Sequence, residues 1–148
     1  MTVDEVCSHH RRIAFDSNLF IYLFEVGGPE GAAVQRLLDA AEAGGVSIVV
    51  ASLALAEISV YPAAVDNAVM AERYADAIRS VQRLDVVPLT AEIAIDAGLM
   101  RGRHGHSLPD AIHLASALRT GATAFVTNDR RLRTLPRLEV VQLAELAP

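Results

Sequence analysis

Short apolar runs alternate with longer segments of helical period along nearly the whole chain, and this alternation constrains the fold more than any other feature of the sequence. The plainest run is Val46 to Ala51, β-branched and bounded by Gly44-Gly45 and Ser52, which suits a strand buried on both faces. Similar runs start at Arg12 and end at Phe15, and span Asp85 to Leu89, Thr123 to Thr127 and Leu138 to Leu143. Between them the spacing predicts helices. Leu19 to Phe24 is a brief buried one, and Ala33, Val34, Leu37, Leu38 and Ala41 mark a second from Glu30 to Ala43. Ser52 caps a third, Leu53 to Ser59, stopped near Pro62, and a fourth covers Asp66 to Arg83. Thr90 caps a fifth that runs to about Arg101, and Pro109 opens a sixth from Asp110 to Thr120, ended by Gly121. Asp129 to Leu135 reads as a short helix, Gly102 to Leu108 as a mobile polar loop, and residues 1–10 as a loose leader. Strands alternating with helices build βαβ units, so the expectation is one α/β domain over 13–148, preceded by a leader of residues 1–12. Its architecture is three-layer α/β/α, with a central, mostly parallel sheet.

Net charge narrows the partners. At −5 the chain has no general basic coat for nucleic acid, and with 5% aromatics and no Trp it lacks base-stacking platforms. Arg11, Arg12, Arg101, Arg103, Arg130, Arg131 and Arg133 nevertheless fall in three short stretches, which leaves room for a local basic patch. Cys7 stands alone and forms no internal disulfide, which fits a reducing cytoplasm. The opening MTVDEVCSHHRR lacks the apolar core of a signal peptide, and the longest apolar stretch, Val46 to Ala56, is too short to span a bilayer. A cytoplasmic protein with no membrane partner is expected.

Four acidic residues occupy strand exits or the early turns of helices: Asp16 in AFDSNLFIY, Glu57 in VVASLALAEI, Asp110 in SLPDAIHLASA and Asp129 in AFVTNDRRL. In an open parallel sheet that edge is where ligands bind. Two carboxylates about 5 Å apart repel by roughly 3 kcal/mol at an effective dielectric of about 20. A cluster of them therefore protonates in part or takes up a cation, and all-oxygen ligation suits Mg²⁺ or Mn²⁺. Helix capping is the competing explanation. It accounts best for Asp110, behind Pro109, and less well for Asp16, since Ser17 or Asn18 can cap instead. It accounts least for Glu57, a poor capping residue set among Leu53, Leu55 and Ile58, which needs a metal or an Arg as partner if buried. Asn18, Thr127 and Asn128 stand beside these acids as supporting polar groups.

Other candidates carry less. His113, one turn after Asp110, lies among Ile112, Leu114 and Ala115 and reads as a packed histidine. His104 and His106 have H-x-H spacing, but zinc needs more His or Cys ligands than the lone Cys7 supplies. His9-His10 reads as a solvated tail, and no P-loop, G-x-S-x-G or G-x-G-x-x-G pattern occurs.

Taken together, FDSNLFIYLFE, AEI after a strand, PDAIHLASA and VTNDRRL resemble the four sequence blocks of the PIN domain, more narrowly those of VapC-type toxins of bacterial toxin–antitoxin pairs. The resemblance spans roughly Ile13 to Leu143. It implies a PIN fold with a parallel sheet of about five strands flanked by helices. It also implies a Mg²⁺- or Mn²⁺-dependent ribonuclease, usually a homodimer, inhibited by a small cognate antitoxin. Carried over by position, Asp16, Glu57, Asp110 and Asp129 would be its acidic quartet. Asp16, Asp110 and Asp129 would hold metal, Glu57 would do so directly or through water, and Asn18, Thr127 and Asn128 would support them. Arg101, Arg103, Arg130 and Arg131 are expected to grip RNA phosphates, and the apolar helices around 53–81 to supply a dimer surface. The leader is longer than many relatives have. Two other readings remain: a PIN-like nuclease for structured DNA, for which the chain lacks the insertions that thread a flap, and a non-catalytic protein-binding module.

Overall fold

The computed structural model describes residues 1–147. The chain runs through α1 (Val3–His9), β1 (Arg12–Phe15), α2 (Ser17–Ile21), a π-helical turn at Tyr22–Val26 and α3 (Gly28–Gly44). Next come β2 (Ser47–Ala51), α4 (Leu53–Ala64), α5 (Ala68–Ser80), β3 (Leu84–Val87) and α6 (Ala91–His104). It closes with α7 (Leu108–Arg119), β4 (Ala124–Thr127), β5 (Glu139–Gln142) and a 3₁₀ turn at Leu143–Glu145. The five strands form one sheet in the order β3-β2-β1-β4-β5, and every pairing is parallel.

Side chains two apart on a strand share a face, and here the two faces acquire separate cores. Ile13, Phe15, Ile48, Val50 and Val126 pack with Val6, Leu19, Leu37, Ile58 and Ile78, which come from α1 to α5. Ala14, Val49 and Phe125 pack instead with Ile93, Ala97, Ala111 and Leu114 of α6 and α7. The expected three-layer α/β/α fold is therefore the one that forms. Strand order reverses beside β1, with β2 on one side and β4 on the other, and such a switch point opens a crevice at the carboxyl ends of the strands. Among the described residues no helix is long and apolar enough to cross a membrane.

Residues 1–10 are not the loose leader that their polarity suggested. Val3, Val6 and Cys7 make a one-sided stripe at helical spacing and are buried in the core that also contains α3. Thr2 and Glu5 form a capping box, the Glu5 N–H donating to Thr2 Oγ1 at 3.2 Å and the Thr2 N–H to Glu5 Oε2 at 2.7 Å. Thr2 also bridges to Ala147. His9 is exposed, but His10 is buried, with Nδ1 2.9 Å from Thr123 Oγ1 and Nε2 3.1 Å from Glu139 Oε2.

Helix ends also shift. Pro62 lies inside α4, in its last turn, and the helix ends two residues beyond it. Asn67 rather than Asp66 caps α5, which stops at Ser80. Helix α6 reaches His104 and is ended by Gly105, whose φ of 76° suits glycine, so the expected mobile loop shrinks to residues 105–107. The segment 129–135 is not helical. Asp129 Oδ1 accepts from the Arg131 N–H at 2.9 Å, and Leu135 pairs with Leu138 across Pro136-Arg137, two local turns that use up the segment.

Because Val6 is fully buried, Val6→Ala should cost about 2 kcal/mol, seen as a lower urea midpoint. An unchanged midpoint would mean that α1 is only loosely attached.

Candidate functional site

Pairing of β1 with β4 puts Phe15 opposite Val126, and the Asp16 N–H donates to Val126 O at 3.0 Å. Asp16 therefore leaves the sheet beside Thr127. Of the three residues able to cap α2 it is Asp16 that does so, its Oδ1 accepting from the Ser17 N–H at 2.7 Å. Its Oδ2 accepts from Thr127 Oγ1 at 2.6 Å and from Asn18 Nδ2 at 3.1 Å. Thr127 is fully buried, and its Oγ1 also accepts from Asn18 Nδ2 at 3.2 Å and from the Asp129 N–H at 3.0 Å. Burial holds the Asp16 carboxyl above the usual carboxylate range. The charge of His113 and the bonds from Thr127 and Ser17 pull it down, and the charge of Glu57 pushes it up.

Asp110 is not a cap. Ser107 fills that role, its Oγ accepting from the Asp110 N–H at 3.2 Å, which leaves the Asp110 carboxylate free of the helix end. Glu57 does have a partner, neither metal nor arginine: its Oε1 lies within hydrogen-bonding reach of His113 Nε2. His113 is 3% exposed, buried as the sequence implied, yet it belongs to the site. Burial opposes a charged imidazole there, but the bond to Glu57 and the charges of Asp16, Glu57 and Asp110 outweigh it and raise its pKa. Its spacing of three residues from Asp110, which shares a helix face, was the available signal. His113 Nδ1 is buried without a partner.

Asp129 is clasped by Arg131. The guanidinium donates from Nη2 to Oδ2 at 2.6 Å and from Nε to Oδ1 at 3.0 Å, which holds the Asp129 carboxyl below the usual range. Asn128 turns away from the acids. Its Nδ2 donates to the Tyr22 hydroxyl at 3.2 Å, and its Oδ1 accepts from the Ala144 N–H at 3.2 Å.

Among the described residues, no three His, Cys, Asp or Glu side chains stand ready around one point to hold an ion. The acids instead have internal partners, Glu57 the imidazole of His113 and Asp129 the guanidinium of Arg131. The donor set still fits Mg²⁺ or Mn²⁺. It is all oxygen, the charge on Asp16 is disfavoured by burial, and Asn18 Oδ1 is a buried acceptor that no donor reaches. A strongly hydrated cation needs only one or two carboxylates and keeps several waters.

A cleft of about 550 Å³ opens beside Asp110, between the end of α6 and residues 131–135, and Arg101, Arg131, Arg133, His104 and His106 line it. Arg103 lines a different hollow with Asp96 and Leu99, and Arg130 is exposed and lines neither. Of the four arginines expected at RNA, Arg101 and Arg131 share the cleft with Asp110, and Arg133, from the same basic stretch as Arg131, joins them.

The family model for the PIN domain matches residues 13–138. No curated protein sequence matches the chain. Among solved structures, VapBC2 from Rickettsia felis, bound to a DNA fragment from its promoter, is similar with a TM-score of 0.71 at 18% identity, covering 88% of this chain and 98% of that one. A toxin–antitoxin complex from Klebsiella pneumoniae gives 0.65 at 21% identity, with 85% and 94% covered. VapC20 from Mycobacterium tuberculosis, a Sarcin-Ricin loop cleaving toxin, gives 0.60 at 20% identity, with 76% and 86% covered. At these identities the likeness is one of fold.

The raised Asp16 pKa has a definite sign. The native state binds that proton more tightly than the unfolded chain, so metal-free stability falls as pH rises from the ordinary carboxylate range through the folded pKa of Asp16. Asp129, with a lowered pKa, does the opposite and loses stability as pH falls through its folded value. In EDTA, Asp16→Asn should therefore raise the melting temperature at neutral pH, and the gain should shrink in acid. A lower melting temperature for the variant at neutral pH would contradict this account of Asp16.

Proposed function

This chain belongs to the PIN-domain family, and on that footing we propose that it is a Mg²⁺- or Mn²⁺-dependent endoribonuclease, the toxin of a toxin–antitoxin pair that inhibits translation. The observation that carries the reading is the meeting, at the β1/β4 switch point, of a buried Asp16 with Asp129 through one hydroxyl, beside a basic cleft that includes Asp110. VapC20, which shares the fold, is a Sarcin-Ricin loop cleaving toxin, and this supports RNA as the substrate.

Asp16, Asp110 and Asp129 would hold the cation, and Glu57 would do so directly or through water. When bound, Mg²⁺ or Mn²⁺ supplies a lowered water pKa and neutralises charge on the attacked phosphate. The chain's own groups do the rest. Thr127 and Asn18 fix the rotamer of Asp16 by donating to Oδ2, and His113 holds Glu57 toward the site. Arg101 and Arg131 would position the phosphates from the cleft. Residues 13–148 would form the nuclease unit, with 1–12 an appended and docked segment. A cognate antitoxin, a homodimer and a cytoplasmic location complete the proposal, with exposed Val60 and Tyr61 of α4, Val65 just after it and Val69 of α5 as the apolar dimer surface.

Mn²⁺ at a hundred times its Kd should stabilise the wild-type protein by about 2.7 kcal/mol in thermal unfolding. Asp16→Asn or Asp110→Asn should lower metal-dependent RNA cleavage by about a hundredfold or more. Wild-type cleavage in both variants would remove these residues from the mechanism. Absence of both metal shift and cleavage would leave the protein-binding module, and cleavage of structured DNA alone would leave the DNA nuclease.

A further inference from the structure

We propose that the cleft beside Asp110 receives the RNA phosphodiester backbone next to the scissile phosphate, and that Arg131 is a clamp released onto it by metal. In the metal-free protein Arg131 is parked on Asp129; once Asp129 turns to a cation, the guanidinium swings to a phosphate in the cleft. The inference rests on the metal-dependent reading above.

Every side-chain hydrogen bond of Arg131 goes to Asp129. The Arg131 side chain is 81% exposed, and an ion pair in that setting is weakly held, so a divalent cation displaces it readily. Arg131 already lines the cleft that holds Asp110, so release needs a change of rotamer and no movement of backbone. The Asp129 backbone stays anchored meanwhile, because its N–H is bound to Thr127 Oγ1 at 3.0 Å.

The cleft is also built to take an anion. Among the described residues, the ion-paired arginines are Arg119, with Asp96, and Arg131, so Arg101 and Arg133 enter the cleft without a carboxylate partner. Each spends one guanidinium nitrogen on a backbone carbonyl, Arg101 on His106 O at 3.1 Å and Arg133 on Arg130 O, and keeps its other N–H groups. Planar guanidinium forks match phosphate oxygens, and His104 and His106 add two further donors. The exchange balances charge. A cation takes over at Asp129 and frees one positive side chain for the incoming polyanion.

The test uses the full chain as wild type, Arg131→Ala and Arg131→Lys, with metal-free melts to confirm that substitution at this exposed position keeps the fold. Mn²⁺ affinity is measured by calorimetry. Binding of a fluorescein-labelled single-stranded RNA is measured by anisotropy with and without Ca²⁺ in place of Mn²⁺, strand integrity being checked on a gel. Arg131→Ala should bind Mn²⁺ about two- to fivefold tighter, having lost the competing cation. With Ca²⁺ present it should bind RNA about tenfold more weakly. The slope of log K against log salt should then be shallower by about 0.7, one phosphate contact on a single strand. Without divalent cation its RNA binding should equal that of wild type. Arg131→Lys, which keeps the charge but not the fork, should fall between. Weaker Mn²⁺ binding in Arg131→Ala, or RNA binding that is unchanged with Ca²⁺, overturns the clamp while leaving the metal site intact. A wild-type protein that binds no Mn²⁺ overturns both.

Discussion

The hydroxyl of Thr127 holds the site together. It donates to Asp16 at the end of β1 and accepts from the backbone of Asp129 beyond β4, so one buried atom fixes two acids that lie far apart in the sequence. A buried carboxylate without donors would cost several kcal/mol. That cost is met only because the parallel register sets Phe15 against Val126 and brings the next residue of each strand into reach. Threonine suits the position on two counts. Its branched Cβ belongs in a strand and limits its rotamers, and its oxygen can serve as donor and acceptor at once. Valine would fill the same space and leave Asp16 short of a donor.

Around that hub the acids are compensated rather than assembled. Asp16 has its pKa raised by burial, while that of Asp129 is pulled down by a guanidinium. Glu57 leans on an imidazole whose pKa is raised, against burial, by the bond to Glu57 and by nearby acids. Asp16, Asp129 and Glu57 are thus kept in separate local balances. Like charges converging on one crevice need counter-charges from somewhere, and here Arg131 supplies one from the chain itself.

How much of this was legible in the sequence follows from the range of each interaction. Strands and long helices declare themselves through periodicity, so the five strands and three layers could be read directly, as could the position of Asp16 and Asp129 at strand exits. Short segments gave weaker signals. The buried stripe of α1 has only three members, and the turns at 129–135 depend on one Asx bond and a distant bridge. The caps of α2 and α7 could not be told apart from their neighbours in the sequence, because Asp, Ser and Asn all cap well, and tertiary contacts choose among them. The pairing of Glu57 with His113 joins α4 to α7, and nothing local to either helix announces it. Of the supporting residues, Asn18 and Thr127 bond Asp16 directly, whereas Asn128 braces Tyr22 and Ala144.

The bridge between Thr2 and Ala147 ties the start of the described chain to its far end. A contact of that span becomes available to a chain leaving the ribosome only once residues 1–147 have been made. The bond between Asp16 and Thr127 is open to it somewhat sooner, while the pairing of β1 with β2 is open much earlier. Half of the sheet can therefore exist on a growing chain before the acids have met, so a nascent polypeptide carries the scaffold well ahead of the chemistry.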